Sequence, residues 1–474
     1  MFRQALSGNS LNMSTQKSLN TSDANLILRI WRSAFPAPLR PRNKRERSRF
    51  LRSNLILHFR PPTVIEKTLR MTLSWGLGGM AVTLVALQMA TGILLKFIYI
   101  PTPVDAYASV QTIVAQVPFG RLVRNLHHWC ANFLVVVLML HMLRVFFTGA
   151  FHGPRQFNWL IGLFLFAMVL TANLSGYLLP YDQLAYWAVT VLSAMIGYLP
   201  AAGGWLQQAL VNGTELGART LPFFYTLHTA VIPILLAGLM GFHFWRIRKA
   251  GGLVVPRKPD EPVDDAPIRV PAFPNLLLRE VSTALMVTAA VLVFSIFFDA
   301  ALSAPANPGL SPNPVRAPWY FAGFQELLLH VHPAVAVSTI PFLAGLFLLG
   351  LPYLAYPRST EGIWFASVRG KRQSIKAALT AMVVTPALIV FDALVVKTAP
   401  WAAGMSSFFR DGVLPLLLIL VLTAGFLLAM RKRWGATINE TVQALFVVMV
   451  TTLVVLTVVG VFFRGPSMRL IWPL

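Results

Sequence analysis

Cysteine is almost missing. The 474 residues contain one, Cys130, so no disulfide can form within the chain, and a small core residue is the expected role of that thiol. No Cys-x-x-Cys-His occurs, which excludes a c-type haem attached through that motif. Charge is also scarce: 12% of residues are charged, and the acidic ones number 17 against 40 Lys and Arg. A net charge of +23 invites a nucleic-acid reading, but the cations gather between apolar runs, as membrane topology requires, so nucleic acid is excluded as a partner. A soluble composition is lacking as well. With 56% hydrophobic residues and a mean hydropathy of +0.64, the chain lies outside the soluble globular range and reads as an all-α polytopic membrane protein.

Nine apolar segments approach the roughly 20 residues that a bilayer needs. They run about Met71–Phe97, Leu122–Phe147, Trp159–Leu179, Phe223–Phe244, Val281–Phe298, Ala334–Tyr353, Ile375–Val396, Gly412–Met430 and Val442–Phe463. Residues 1–62 form a basic tail, Ser/Asn/Thr-rich and expected to be disordered at first. A cationic stretch follows (Arg40, Arg42, Lys44, Arg45, Arg47, Arg49, Arg52) that suits an anchor at an anionic lipid surface. No long apolar region follows the start, so the segment does not read as a cleaved signal peptide. The loops after the second, fourth, sixth and eighth segments are the basic ones, with Arg155, with Arg246, Arg248, Lys249, Arg257 and Lys258, with Arg358, Arg369, Lys371 and Arg372, and with Arg431, Lys432 and Arg433. By the positive-inside rule the N-terminus is then cytoplasmic, in a cell inner membrane, and the C-terminus outside.

Two of the segments carry histidines at membrane depth, where an ionisable residue is costly and points to function. His127 and His141 are 14 residues apart, within about 40° of one helix face and about 21 Å apart along the axis. His128 is 13 from His141 and points elsewhere, so periodicity selects His127. In the fourth segment His228 and His243 are 15 apart, about 60° past four whole turns. By that topology the second and fourth segments run in the same direction, which pairs His127 with His228 and His141 with His243 and makes two sites with an imidazole on each side, the geometry of a bis-imidazole haem iron. Glycines repeat the interval: Gly78 and Gly92 are 14 apart, and so are Gly162 and Gly176. They supply places where a helix backbone comes close to a flat macrocycle.

The residues that carry these positions resemble cytochrome b of the quinol:cytochrome c and plastoquinol:plastocyanin oxidoreductases. The likeness runs through Arg124-Asn125-Leu126-His127-His128-Trp129 to Arg144, then Gly176-Tyr177-Leu178-Leu179-Pro180-Tyr181-Asp182-Gln183, Tyr186-Trp187-Ala188 and Phe224-Tyr225-Thr226-Leu227-His228-Thr229. It is strong from about Met71 to Lys249. The resemblance implies two non-covalent haems b as iron-containing cofactors, with metal ligands His127, His228, His141 and His243, and Arg124 and Arg144 near the haem propionates. It divides the chain into a four-helix dihaem domain at 63–250, a Pro/Asp/Arg-rich cytoplasmic linker at 251–275, a second domain at 276–400 that in the chloroplast-type branch is a separate subunit, and additional C-terminal helices at 401–474.

In the second domain Ala317-Pro318-Trp319-Tyr320 resembles the family's quinol-site motif Pro-Glu-Trp-Tyr. Trp319 and Tyr320 then belong to that site, but Pro318 stands where the motif has its glutamate. Glu326, six residues past Tyr320, is the candidate substitute base. His330 and His332 read as surface or loop residues. Gly76 occupies the place of the cysteine that attaches the chloroplast-type branch's extra haem, so that linkage is excluded. The last segment exceeds the family's usual seven or eight spans.

The resemblance implies a subunit that oxidises quinol near the outer face and passes electrons across the membrane through two haems. Its partners would be a Rieske-type iron–sulfur protein, a c-type cytochrome subunit, quinol and membrane lipid, in a dimeric multisubunit complex. Two other readings remain open: a non-bifurcating dihaem anchor joining a dehydrogenase or multihaem cytochrome to the quinone pool, and a haem-free proton-coupled transporter.

Overall fold

A computed structural model describes residues 26–35, 43, 61–262, 266–354, 361–396 and 404–472. Among these, nine helices are long and apolar enough to cross a bilayer: Leu77–Lys96, Gly120–Phe147, Gly153–Leu178, Thr220–Lys249, Ala272–Phe297, Val335–Tyr353, Val368–Val396, Phe408–Trp434 and Ile438–Phe462. They are called the first to ninth spans below, and each falls on one of the nine expected segments. The protein is thus an all-α, multi-pass membrane protein.

The first and second spans pack side by side, as do the third and fourth, and the fifth leans on the first two. Their shared core contains Leu84, Val85, Cys130, Leu134, Val135, Val169, Leu236 and Val291. Cys130 is fully buried there as a small apolar side chain. Polar side chains join the halves at one end. Asn125 accepts from Ala300 N at 2.9 Å and donates to Ser295 O at 3.0 Å, and the Trp129 indole donates to Phe298 O at 2.7 Å. The Tyr181-Asp182-Gln183 turn works likewise. Asp182 caps the helix Gln183–Ile196 through Ala185 N and also accepts from Ser303 N, while Gln183 accepts from Asn307 N at 2.6 Å.

The ninth span is not an appendage. It runs through the middle of the second half, packed along the seventh span and along the short helix Trp319–His330. Gly323 and Gly460 make that approach possible, because a Cβ on either would meet the other helix's backbone within 3 Å. At its other end Phe446 stacks on Phe146 of the second span, ring centres 3.8 Å apart. The eighth span is instead the most exposed of the nine.

Three spans contain a wide π turn just before a proline: Leu227–Val231 before Pro233, Val335–Thr339 before Pro341, and Phe408–Val413 before Pro415. The cause is local. Proline has no N–H to close the i→i−4 bond, and its ring collides with the carbonyl four residues back. That carbonyl belongs to Thr229, Val337 and Asp411, each inside its π turn, where the wider loop moves it out of the way.

Two regions differ from the sequence expectation. Within the tail read as disordered, Leu26–Ala34 forms a helix, its end held by Arg246, which donates to Ala34 O at 3.0 Å and to Ser33 O. A short amphipathic segment finds a protein surface to rest on, which composition alone does not reveal. The cationic residues from Arg40 to Arg52 lie outside the described residues. The segment expected as a linker also carries pairing that its composition does not announce: Arg269–Pro271 pairs antiparallel with Thr63–Ile65, and Arg257 donates to Glu361 O.

Candidate functional site

The second and fourth spans bring the four histidines together in pairs. The His127 and His228 rings face one another, centres 6.1 Å apart and planes at 75°. One metal ion between two imidazole nitrogens, with bonds of about 2 Å, needs ring centres about 6 Å apart. His128 turns away and meets Trp129 edge-on, as the periodicity required. His141 and His243 line one cavity together with Arg144, Asn158 and Gly162. The two levels are about 21 Å apart along the second span.

The fourth span reaches the same register by a different count. Its interval of 15 contains the π turn Leu227–Val231, which starts beside His228 and takes up one residue. The helix between His228 and His243 therefore turns as though the interval were 14, and both spans present their imidazoles in matching register. The signal was in the sequence as Pro233, four residues after Thr229 and two after the turn.

The ring nitrogens away from the shared space are already engaged. Thr91 donates its hydroxyl proton to Leu87 O at 2.6 Å, which leaves its oxygen to accept from His127 Nδ1–H at 2.9 Å. His228 Nδ1 lies 3.0 Å from Ala172 O and donates to it. Both rings are thereby set with the Nε2 lone pair available, the tautomer a metal ligand needs. The donor set and spacing fit a bis-histidine haem iron.

The glycines also stand behind the histidine rings. A Cβ on Gly92 would lie 3.2 Å from His127 Cε1, on Gly78 4.0 Å from His141 Cε1, on Gly176 2.6 Å from His228 Cε1, and on Gly162 3.7 Å from His243 Cε1. Each backs one imidazole. At Gly176 a methyl group would displace the ring itself, and at Gly92 it would press on the ring closely enough that one of the two must give, so those glycines let the ligand, as well as a macrocycle, settle against the neighbouring helix.

The two arginines differ. Arg144 is buried and lines the His141/His243 cavity, as a residue near a propionate would. Arg124 donates to Ala300 O and Ala301 O, both at 2.7 Å, so its guanidinium also ties the second span to the loop after the fifth.

In the second half, on the His127/His228 side, Pro318 precedes the helix Trp319–His330. The Trp319 indole donates to Asn132 Oδ1 of the second span at 2.7 Å, and Tyr320 packs against the apolar core shared by the first five spans. Burial beside Tyr177 holds the Tyr320 phenol above its ordinary value. Glu326 is fully buried and does not share Tyr320's face, since six residues leave it about 120° round the helix. Arg464, just past the ninth span, donates to Glu326 Oε2 at 2.9 Å and to Oε1. Burial alone would raise the Glu326 carboxyl, but the bonds from His330 and Arg464 outweigh it and hold it below the usual range. His330 closes the helix in this network rather than at the surface; His332 is in the loop beyond, half-buried.

Known proteins agree with this architecture. The family model described as Cytochrome b/b6/petB matches residues 64–251. Cytochrome b6 of Heliobacterium mobile is 42% identical over 175 residues, which is 37% of this chain and 82% of the relative. The chain belongs to the cytochrome b/b6 family. Cytochrome b6 of Chlamydomonas reinhardtii is 41% identical over 175 residues, 37% of this chain and 81% of the relative. Among solved structures, a chain of a hyperthermophilic respiratory Complex III shares the fold with a TM-score of 0.60 and 21% identity, covering 88% of this chain and 97% of that one. Membership makes this a haem-b, electron-transport membrane protein of the oxidoreductases. The family model lies in the first half, whereas the fold match covers 88% of the chain and so extends into the second half too.

Proposed function

We propose that the protein is the dihaem cytochrome b subunit of a quinol:cytochrome c oxidoreductase-type complex, with both halves in one chain. One observation carries the reading: His127 and His228 face each other 6.1 Å apart between two spans, with a second histidine pair sharing a cavity one haem level away. His127 and His228 would hold one haem and His141 and His243 the other, with Arg144 near a propionate. When bound, the haems supply one-electron carriers in the two halves of a hydrocarbon core about 30 Å thick.

The chain's own residues do the rest. Thr91 and the Ala172 carbonyl hold the ligand tautomers. Gly92 and Gly176 give the rings their places. Trp319 and Tyr320 form one wall of the quinol pocket on the His127/His228 side, the outer one by the loop charges, where a Rieske-type protein and a c-type cytochrome would dock. Quinone reduction falls on the cytoplasmic side, near Arg144.

Pro318 in place of the motif carboxylate favours a second reading, a non-bifurcating conduit from the quinone pool. Oxidant-induced reduction of one haem in the purified complex separates the two, since only bifurcation produces it. The ligand assignment is tested by His141→Ala, expected to leave the spans inserted and remove one of two haems. Two haems per chain in that variant overturn the assignment.

A further inference from the structure

Beyond the haems, the described residues contain one buried chain of ionisable groups, and none of them is in the haem sites. It runs Arg464–Glu326–His330–Asp392. His330 Nε2 lies 3.0 Å from Glu326 Oε1 and 3.0 Å from Arg464 Nη2, and Nδ1 lies 2.6 Å from Asp392 Oδ2. Three elements meet here: the helix Trp319–His330, the end of the seventh span and the turn after the ninth.

The ring stands where it is satisfied in both protonation states. As neutral imidazole it donates from Nδ1 to Asp392 and accepts at Nε2 from Arg464. As imidazolium it keeps the Asp392 bond and donates from Nε2 to Glu326. Neither protonation state needs the ring to rotate, so a proton can arrive at Nε2 and leave from Nδ1 in place; a ring flip then restores the starting tautomer. Side-chain exposure rises along the chain, from 0% at Glu326 to 11% at His330 and 17% at Asp392, and Asp392 is four residues from the end of the seventh span, which directs the route towards that face of the membrane. Glu326 and Arg464 alone make a poor proton carrier, because the carboxylate is gripped at both oxygens.

Trp319, Gly323, Glu326 and His330 lie on one stripe of their helix, at intervals of four, three and four. The entrance of the chain at Glu326 is about 9 Å along the axis from Tyr320.

We infer that His330 is a proton relay for quinol oxidation, a proposal that rests on the quinol-oxidising reading above. A proton lost from the quinol hydroxyl forms O–H at Glu326 Oε1, releasing the Arg464 Nη2 bond there; that O–H breaks as the Nε2–H bond of His330 forms, and Arg464 closes on Oε1 again. The Nδ1–H bond then breaks, its proton forms O–H with Asp392 Oδ2, and from there it leaves to water. The electrons go separately, one to the iron–sulfur partner and one to the nearer haem. Arg464 keeps the site from accumulating negative charge while His330 is neutral.

The test uses the purified whole complex, a short-chain benzoquinol and a c-type cytochrome as acceptor, with His330→Gln and Asp392→Asn compared across pH. In the unmodified complex, turnover is expected to rise with pH as His330 loses its proton and becomes able to accept one. His330→Gln is expected to slow turnover about tenfold or more and flatten that rise, with haem content and reduced spectrum unchanged. Asp392→Asn should slow it several-fold and flatten it likewise. Wild-type turnover and pH profile in both variants overturn the relay, as does a variant that loses thermal stability but keeps the profile. If His330→Gln fails to assemble its haems, Asp392→Asn decides alone. An unmodified complex with both haems that does not oxidise benzoquinol overturns the underlying function, and the relay with it.

Discussion

A Cβ on Gly176 and the Cε1 of His228 would be 2.6 Å apart, so the absence of a side chain at one position sets the place of the ring at the other. Gly176→Ala is therefore expected to push the His228 ring off its line to His127, at a packing cost of about 1–3 kcal/mol. Haem extracted per chain should fall from two to one, with the His141/His243 site retained. Gly78→Ala, whose Cβ would stand 4.0 Å from His141, should keep both.

The π turn at Leu227–Val231 makes a separate prediction about register. Deleting Ala230 together with Pro233→Ala removes both the extra residue and the reason for the turn, and should leave a regular helix with two haems bound. Inserting one alanine after Ala230 instead rotates His228 by about 100° against His243 and should cost one haem. Pigment-to-protein ratios from the two variants decide it.

Glu326 and Arg464 are both buried and face each other through two hydrogen bonds. Arg464→Gln leaves a carboxylate in the interior without its counter-charge and should destabilise the second half by about 3–5 kcal/mol. The double variant Arg464→Gln/Glu326→Gln should recover most of the loss. Thermal unfolding of the purified protein measures both.

The same network gives stability a pH dependence. Burial alone would lower the His330 value, but the carboxylates of Asp392 and Glu326 outweigh it and hold the imidazole above its ordinary value. A raised value in the folded state means that this contribution is fully present below about pH 6.5, the ordinary imidazole value, and is lost as pH rises through the raised one. Melting temperature should fall across that window in the unmodified protein, and His330→Gln should remove that part of the fall.

Arg144 is buried beside His141 and His243. Arg144→Gln withdraws a positive charge from that site, which makes a haem there harder to reduce. A redox titration should show one midpoint potential lowered by on the order of tens of millivolts, with the other unmoved.

Much of the fold was legible because membrane spans announce themselves through uninterrupted apolar length, and all nine expected segments found a helix. The histidine pairs were legible through the 3.6-residue period. What periodicity could not give was the register correction in the fourth span, because it depends on a proline's effect on hydrogen bonding rather than on spacing. The glycines were found for the right interval with an incomplete reason, since only coordinates show which atom a missing Cβ would strike. His330 looked like a loop residue because its partners, Asp392 and Arg464, are 62 and 134 positions away. The helix Leu26–Ala34 was hidden inside a polar tail, too short to declare itself without the surface on which it lies.

The placing of the ninth span has a consequence for how the molecule is made. Glu326 emerges during synthesis 138 residues before the guanidinium that neutralises it. The slot between the helix Trp319–His330 and the seventh span likewise stays open until Ile438–Phe462 has been translated and inserted. The second half is therefore closed late, from the inside, and a ribosome stalled before Ile438 leaves an unfilled groove whose acids, Glu326 and Asp392, have His330 between them but lack the Arg464 charge, a form open to membrane quality control.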